Sequence, residues 1–254
     1  MMSIALSINL NKIALIRNSR EGNFPSVEAF GKLSLNAGAS GLTVHPRPDK
    51  RHITPEDTRV LAALVKQYSS NVRPVEFNIE GNPLAPARGS YPGLIPLSLE
   101  AQPDQCTLVP DSDSQKTSDH GFNLSNSGSQ LEPLIQQLKD AGIRVSLFMD
   151  PIPTQIRLAK EIGADRIELY TGPFARAYDE GTGQHSFELH TLAAQEALEL
   201  GLGINAGHDL NLENMQLYSQ LPGLAEVSIG HALTVDALLM GFETAVKRYG
   251  ELCV

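Results

Sequence analysis

Two imidazoles and two guanidiniums, His45, Arg47, Arg51 and His52, fall within eight residues, directly behind a short apolar run. Arg and His donate hydrogen bonds to phosphate or carboxylate oxygens, and Arg does so through a flat two-pronged face. An imidazole also passes protons near neutral pH, which makes His45 a candidate proton shuttle. A solvated basic loop has the same composition. The position behind an apolar run and the stiffening by Pro46 and Pro48 favour a site. A second polar group holds Asn9, Asn11, Lys12, Arg17, Asn18 and Arg20. Lys12 fits a Schiff-base nucleophile, a phosphate cation or an ordinary surface lysine. Glu80 is a candidate general base, and Glu168 falls where it could point into the barrel. An inward Glu168 would call for a ligand or an Arg beside it, because a bare buried carboxylate is costly. Two further segments carry glycine before histidine, Gly207-His208-Asp209 and Gly230-His231. Glycine lets the backbone approach a ligand, and a helix starting there offers free N–H groups to a phosphate.

These side chains need elements to gather them. Eight apolar or β-branched runs recur along the 254 residues: 4–8 ending at Asn9, 41–44 at His45, 75–79 at Glu80, 106–109 at Pro110, 145–149 at Asp150, 167–170 at Thr171, 203–206 before His208 and 226–229 before Gly230. Helices are expected over 26–36, 55–67, 130–141, 154–162, 187–200, 212–221 and 235–249. Thr54 before Pro55, with Asp57 three residues on, is a helix start. Gly38, Gly142, Gly163 and Gly201 each follow a helix pattern and lead into the next strand. This order predicts a (β/α)8 TIM barrel with extra helices, one domain over 1–254, whose strand ends share one mouth. The proline-rich stretch 83–96 forbids a full helix, allows a short one near 95–101, and is expected to alter only the outer layer. Stretches 110–128 and 172–185 are expected to be long loops, lids or partner contacts if not merely mobile. Asp150 receives no role.

Composition narrows the class. An apolar share of 41% with no Trp and 6% aromatics implies a core of Leu, Ile, Val and Ala, which suits a barrel interior filled by branched side chains. A net charge of −9 argues against a nucleic-acid or anionic-membrane partner but permits an anionic small ligand in a local basic pocket. Cys106 and Cys253 have no metal-ligand spacing and are expected as free thiols. Neither a signal peptide nor a membrane-length apolar run is visible, so a cytoplasmic protein is expected. No metal motif, dinucleotide fingerprint or P-loop occurs, and no metal or cofactor is expected.

The chain resembles the pyridoxine 5′-phosphate synthases, which close the pyridine ring in the deoxyxylulose-phosphate route to vitamin B6. The likeness runs over nearly the whole length. It is carried by Asn9 with Asn11-Lys12-Ile13-Ala14 and Arg17-Asn18, Thr43-Val44-His45, Arg51-His52-Ile53, Asn78-Ile79-Glu80, Leu108-Val109-Pro110, Val145-Ser146-Leu147-Phe148, Ile167-Glu168, Thr171-Gly172, Asn205-Ala206-Gly207-His208 and Ile229-Gly230-His231-Ala232. The resemblance implies an octameric barrel that condenses 3-amino-2-oxopropyl phosphate with 1-deoxy-D-xylulose 5-phosphate and releases inorganic phosphate and water. It implies His45 and Glu80 as proton acceptors, His208 as a proton donor and Glu168 as a transition-state stabiliser. It assigns the aminoketone phosphate to Gly230, His231, Asn9 and Arg20, and the deoxyxylulose phosphate to Arg47, His52 and Thr117, with Thr117 on a loop that closes over the site. One substrate carries its own amine, so no enzyme lysine is needed for the imine.

The chain departs from the family's pattern in the proline-rich stretch 83–96 and at three shorter sites. Asn11-Lys12 stands where Asp-His is usual, Asp209 where Gly is, and Tyr170 where His is. The first exchange removes a negative charge and adds a positive one, which suits a phosphate. Asp209 is then expected to turn away from the phosphate or to pair with Lys12 or an Arg. Two alternatives stay open: another phosphosugar barrel such as an aldolase, isomerase or epimerase, which would need Lys12 as its nucleophile, and a non-catalytic paralogue that only binds phosphate ligands.

Overall fold

The computed structural model describes residues 3–70 and 72–253. Eight parallel strands close into a barrel in sequence order, with β8 (Leu224–Ile229) returning to pair with β1 (Ala5–Asn9). Between them run β2 (Gly41–Val44), β3 (Glu76–Gly81), β4 (Gln105–Leu108), β5 (Arg144–Met149), β6 (Arg166–Tyr170) and β7 (Gly203–Gly207). All eight overlap the expected runs, so all eight C-terminal ends do share one mouth.

Register separates two kinds of interior. Leu6, Ile8, Leu42, Val44, Ile79, Leu147 and Ile167 face outward and are buried beneath the helices. The alternate positions are polar and face the barrel axis, where they bond to each other across the strands. Ser7 and Thr43 hydroxyls meet at 2.7 Å, Thr107 donates to Asn78, Arg144 donates to Gln105 and to Glu76, and Arg166 donates to Asn205 and Glu226. The expectation of an interior filled by branched side chains is therefore corrected. The branched layer lies between sheet and helices, and the axis is a polar network. Buried polar groups are tolerable there because most of them find partners of opposite hydrogen-bonding sense.

The helical layer comprises α1 (Asn11–Arg17), α2 (Val27–Asn36), α3 (Pro55–Tyr68), α4 (Leu94–Ala101), α5 (Leu124–Asp140), α6 (Pro153–Glu161), α7 (Gly172–Asp179), α8 (Gly183–Glu199), α9 (Met215–Tyr218), α10 (His231–Met240) and α11 (Phe242–Glu251). The capping box at Thr54 and Asp57 is formed. Asp57 also takes both prongs of Arg17, tying α1 to α3. Three expectations fail for local reasons. α5 starts at Leu124, inside the expected loop, because Leu124, Gly128, Leu131, Ile135 and Leu138 form one buried stripe that its serines hide. The stretch 172–185 contains α7, whose Phe174 is buried against Tyr218, Phe187 and His190. The helix expected over 235–249 is two helices, because Gly241 adopts φ +85° and turns the chain. The short helix expected near 95–101 is α4.

Candidate active site

A cavity of about 350 Å³ opens at the C-terminal ends of the strands. Thirteen of the fourteen residues singled out by sequence line it: Asn9, Asn11 and Lys12 after β1, His45, Arg47 and His52 after β2, Glu80 on β3, Thr117 after β4, Glu168 on β6, His208 and Asp209 after β7, and Gly230 and His231 after β8. Arg20 is not brought to it; it is exposed beyond the end of α1. Among the described residues, no group of three or more His, Cys, Asp or Glu side chains is placed to hold a metal ion.

His45 is fixed through its backbone. Its N–H donates to Asn11 Oδ1 at 2.9 Å, and the Asn11 N–H donates to Asn9 Oδ1 at 3.0 Å. Asn11 is thus spent on placing the imidazole. The ring lies between two carboxylates, with Nδ1 3.8 Å from Glu80 and Nε2 3.2 Å from Asp111. Asp111 is a buried residue of the β4–α5 loop that the sequence left inside an undifferentiated Ser- and Asp-rich tract. Arg47 forms an ion pair with it.

Glu168 faces inward, and no Arg stands beside it. Arg166, two residues earlier on the same face, bonds Glu226 deeper in the barrel. Burial, then the charge of Glu226, pushes the Glu168 carboxyl up to about 8. Glu80 is likewise raised well above the ordinary carboxylate range, first by burial and then by Glu168. The site therefore presents two carboxyls that hold their protons more firmly than usual, and perturbed carboxyls of this kind suit proton transfer. Gly207 makes room for one of them. A methyl group there would lie 2.5 Å from Glu168 Oε1. Gly207→Ala should displace that carboxylate and lower turnover about tenfold in a protein that still folds, read by steady-state assay beside circular dichroism.

His208 sits in a turn that a side chain rarely accepts, at φ +89°, followed by Asp209 at φ +58°. Neighbours hold the turn. The buried Thr171 hydroxyl donates to the carbonyls of Gly207 and His208, and Asn214 Nδ2 donates to the Asp209 carbonyl at 3.1 Å. Asp209 Oδ2 lies 2.9 Å from His208 Nδ1, close but poorly aligned for a hydrogen bond. That imidazole holds the Asp209 carboxyl below its ordinary value despite burial. Of the two arms of that expectation, the pairing with Lys12 or an Arg is not formed; the partner of Asp209 is the neighbouring histidine.

His52 Nδ1 accepts the Ile53 N–H at 3.0 Å. Burial, then the nearby His45, Arg47 and Arg51, lowers its value to about 3. The ring is neutral, its proton belongs on Nε2, and that atom is a donor for an anionic oxygen. Gly230 and His231 begin α10, whose first turn has no side-chain cap, so its N–H groups stay available to an anion.

The loop between β4 and α5 lies across the mouth. Arg47 donates to the carbonyls of Ser112 and Gln115, and Arg51 to those of Gln115 and Asp113. Thr117 Oγ1 then meets His208 Nε2 at 2.6 Å on the far side. The loop's return is seated on β5. The Phe122 N–H bonds the Phe148 carbonyl, and Gly121 packs where a methyl would fall 2.1 Å from the Asp150 nitrogen. Asp150 thus has a place, as the surface on which this loop closes. The proline-rich stretch also reaches the lid, with Arg88 2.7 Å from Asp113, and Asn82 just before it donates to the Asp111 carbonyl. It does more than alter the outer layer.

Residues 6–254 match the family model described as pyridoxal phosphate biosynthesis protein PdxJ. The chain belongs to the PdxJ family. The pyridoxine 5′-phosphate synthase of Xanthomonas axonopodis pv. citri is 50% identical over 99% of this chain and 97% of its own length. That of Albidiferax ferrireducens is also 50% identical, over 98% and 96%. Like other PdxJ proteins, this one is an enzyme of vitamin B6 biosynthesis. Solved structures at low identity show the barrel alone. Thiamine phosphate pyrophosphorylase from Pyrococcus furiosus aligns with a TM-score of 0.59 at 10% identity over 98% of this chain and 95% of that one. Tryptophan synthase from M. tuberculosis aligns at 0.62 and 9% over 99% and 92%.

Proposed function

We propose that this cavity performs the PdxJ ring closure: condensation of 3-amino-2-oxopropyl phosphate with 1-deoxy-D-xylulose 5-phosphate to pyridoxine 5′-phosphate, inorganic phosphate and water. The observation that carries it is the His45 imidazole held beside Glu80 and facing the same cavity as Glu168 and His208, with an anion-binding group on either side. On one side the free N–H groups at Gly230 and His231, with Asn9 and Lys12, receive the aminoketone phosphate. Arg20 lies outside this set in a single copy. On the other side His52 Nε2–H, Arg47 and Thr117 receive the deoxyxylulose phosphate.

The substrate amine enters as an ammonium and must lose a proton before it attacks the ketone. Glu80 and His45 accept protons at that step and in the later enolisations. Glu168 keeps its proton near neutrality and stabilises the developing charge. His208, held in a strained turn and touching the lid, delivers a proton to a departing oxygen. Closure of the 109–123 loop excludes water from the imine. No cofactor enters this scheme.

Residues 1–254 are taken as one barrel domain, in a cytoplasmic protein whose two buried cysteines are free thiols. We also infer a homo-oligomer, an octamer by family resemblance. Exposed Val235, Leu238 and Leu239 on α10 and Leu15 and Ile16 on the neighbouring α1 support it, because monomers seldom expose such a patch. Among the described residues no helix is long and apolar enough to cross a membrane. Purified protein given both substrates should release phosphate and form pyridoxine 5′-phosphate. Absence of product from the folded wild-type chain, or borohydride trapping of substrate on Lys12, would reject this reading.

A further inference from the structure

Asp111 is a buried carboxylate at the mouth that the scheme above leaves unused. It is 5% exposed. A single oxygen, Oδ2, faces three groups: His45 Nε2 at 3.2 Å, the Arg47 guanidinium, and the Ser118 hydroxyl at 3.3 Å. Its backbone is pinned, with its carbonyl accepting from Asn82 Nδ2 at 2.6 Å. His45 Nε2 is itself buried and has no aligned hydrogen-bond partner. Arg47 approaches the shared oxygen more closely than the imidazole does, and the imidazole is left at contact distance only.

We propose that Asp111 is a positioning residue for the ring-closing reaction: it fixes His45 as the Nε2–H tautomer with Nδ1 as the base, and it holds Arg47 in place of a substrate phosphate until that phosphate arrives. The inference rests on the reaction assigned above. The geometry supports both halves. Asp111 lies 3.2 Å from Nε2, whereas Glu80 lies 3.8 Å from Nδ1, beyond hydrogen-bond distance, so the nearer carboxylate accepts the ring proton on Nε2 and leaves the lone pair on Nδ1. Nδ1 is the nitrogen that faces Glu80, and both residues line the cavity. An anion that takes the Arg47 guanidinium removes Asp111's nearest partner and leaves Oδ2 to align on His45. Substrate binding at Arg47 thereby firms the base that the reaction needs.

The electrostatic surroundings agree. Burial alone would raise the Asp111 carboxyl, but His45 and Arg47 beside it more than offset this and hold it below its ordinary value. Other charged groups nearby are Glu80, which Asp111 pushes up, and Arg51, Asp49 and Asp113, which act on Arg47. His52 stays neutral.

The test combines kinetics with the ¹⁵N spectrum of the His45 imidazole, assigned with His45→Gln. In the wild-type chain saturated with inorganic phosphate, His45 should be the Nε2–H tautomer. A dominant Nδ1–H form overturns the proposal without any variant. Asp111→Asn keeps the shape but can donate to Nε2, which favours the wrong tautomer. It should lower kcat by about 100-fold or more, with KM for deoxyxylulose phosphate unchanged or lower because Arg47 is freed. Asp111→Glu should restore the tautomer and most of kcat. A merely structural Asp111 would give a raised KM, a lowered Tm and an unaltered tautomer, and that outcome overturns the proposal. The spectrum needs no turnover. A wild-type chain that shows the tautomer but makes no product would therefore fail the reaction and not the role of Asp111.

Discussion

Glu80→Gln should yield a folded barrel whose turnover is about 100- to 10,000-fold lower than that of the wild type, the range that general acid–base groups contribute. Glu80 ends β3 at the cavity, 3.8 Å from His45 Nδ1, with the Asn9 amide at 3.4 Å. Neither contact demands a charge. Gln has nearly the same volume, so packing is retained and only proton transfer is lost. Burial and the neighbouring Glu168 place Glu80's titration well above the ordinary carboxylate range. A carboxylate that is costly to ionise binds a proton more strongly than a free one, which is what a proton acceptor requires. The measurement is phosphate release and pyridoxine phosphate formation by purified protein, beside circular dichroism to confirm the fold. Wild-type turnover in the variant would remove Glu80 from the mechanism.

Glu168→Gln should show the second large effect, on stability as a function of pH. The Glu168 carboxyl titrates at about 8 in the folded protein against an ordinary value of 4.5. Between those values the folded state holds a proton that the unfolded state has released. Stability therefore falls as pH rises through that window, and the loss is complete above the folded value. The amide cannot ionise and is spared this loss. Thermal unfolding should find the variant ahead of the wild type by several degrees at about pH 9, with the gap closing towards about pH 5. Melting curves that run parallel across this range would contradict the assignment. The same variant should lose turnover, so stability and function oppose each other at this residue.

Much of the site was legible because a parallel barrel brings every strand end to one face. Residues such as His45, Glu80, His208 and Gly230 could be named from their place behind an apolar run. The polar axis was legible as well, in alternations such as Glu76-Phe77-Asn78-Ile79-Glu80, although average barrel interiors pointed to branched side chains. The alternation has a period of two, so one face of each strand must be polar, and outward helices claim the apolar face. α5 and α7 were harder, because serine and glycine near their starts masked stripes that only packing against neighbours reveals.

By itself, the sequence determined the barrel, the eight strand ends and most of the charged residues lining the cavity, since periodicity and position depend on local order. Tertiary structure alone decided how those residues are coupled. Asp111 meets His45 and Arg47 only when the β4 loop folds back over β2, and Arg47 and Arg51 hold that loop through backbone carbonyls of Ser112, Asp113 and Gln115. A carbonyl is the same at every position, so no residue type announces it. The absence of an Arg beside Glu168 and the exclusion of Arg20 from the cavity likewise depend on distances between segments far apart in the chain, which spacing along the chain does not encode.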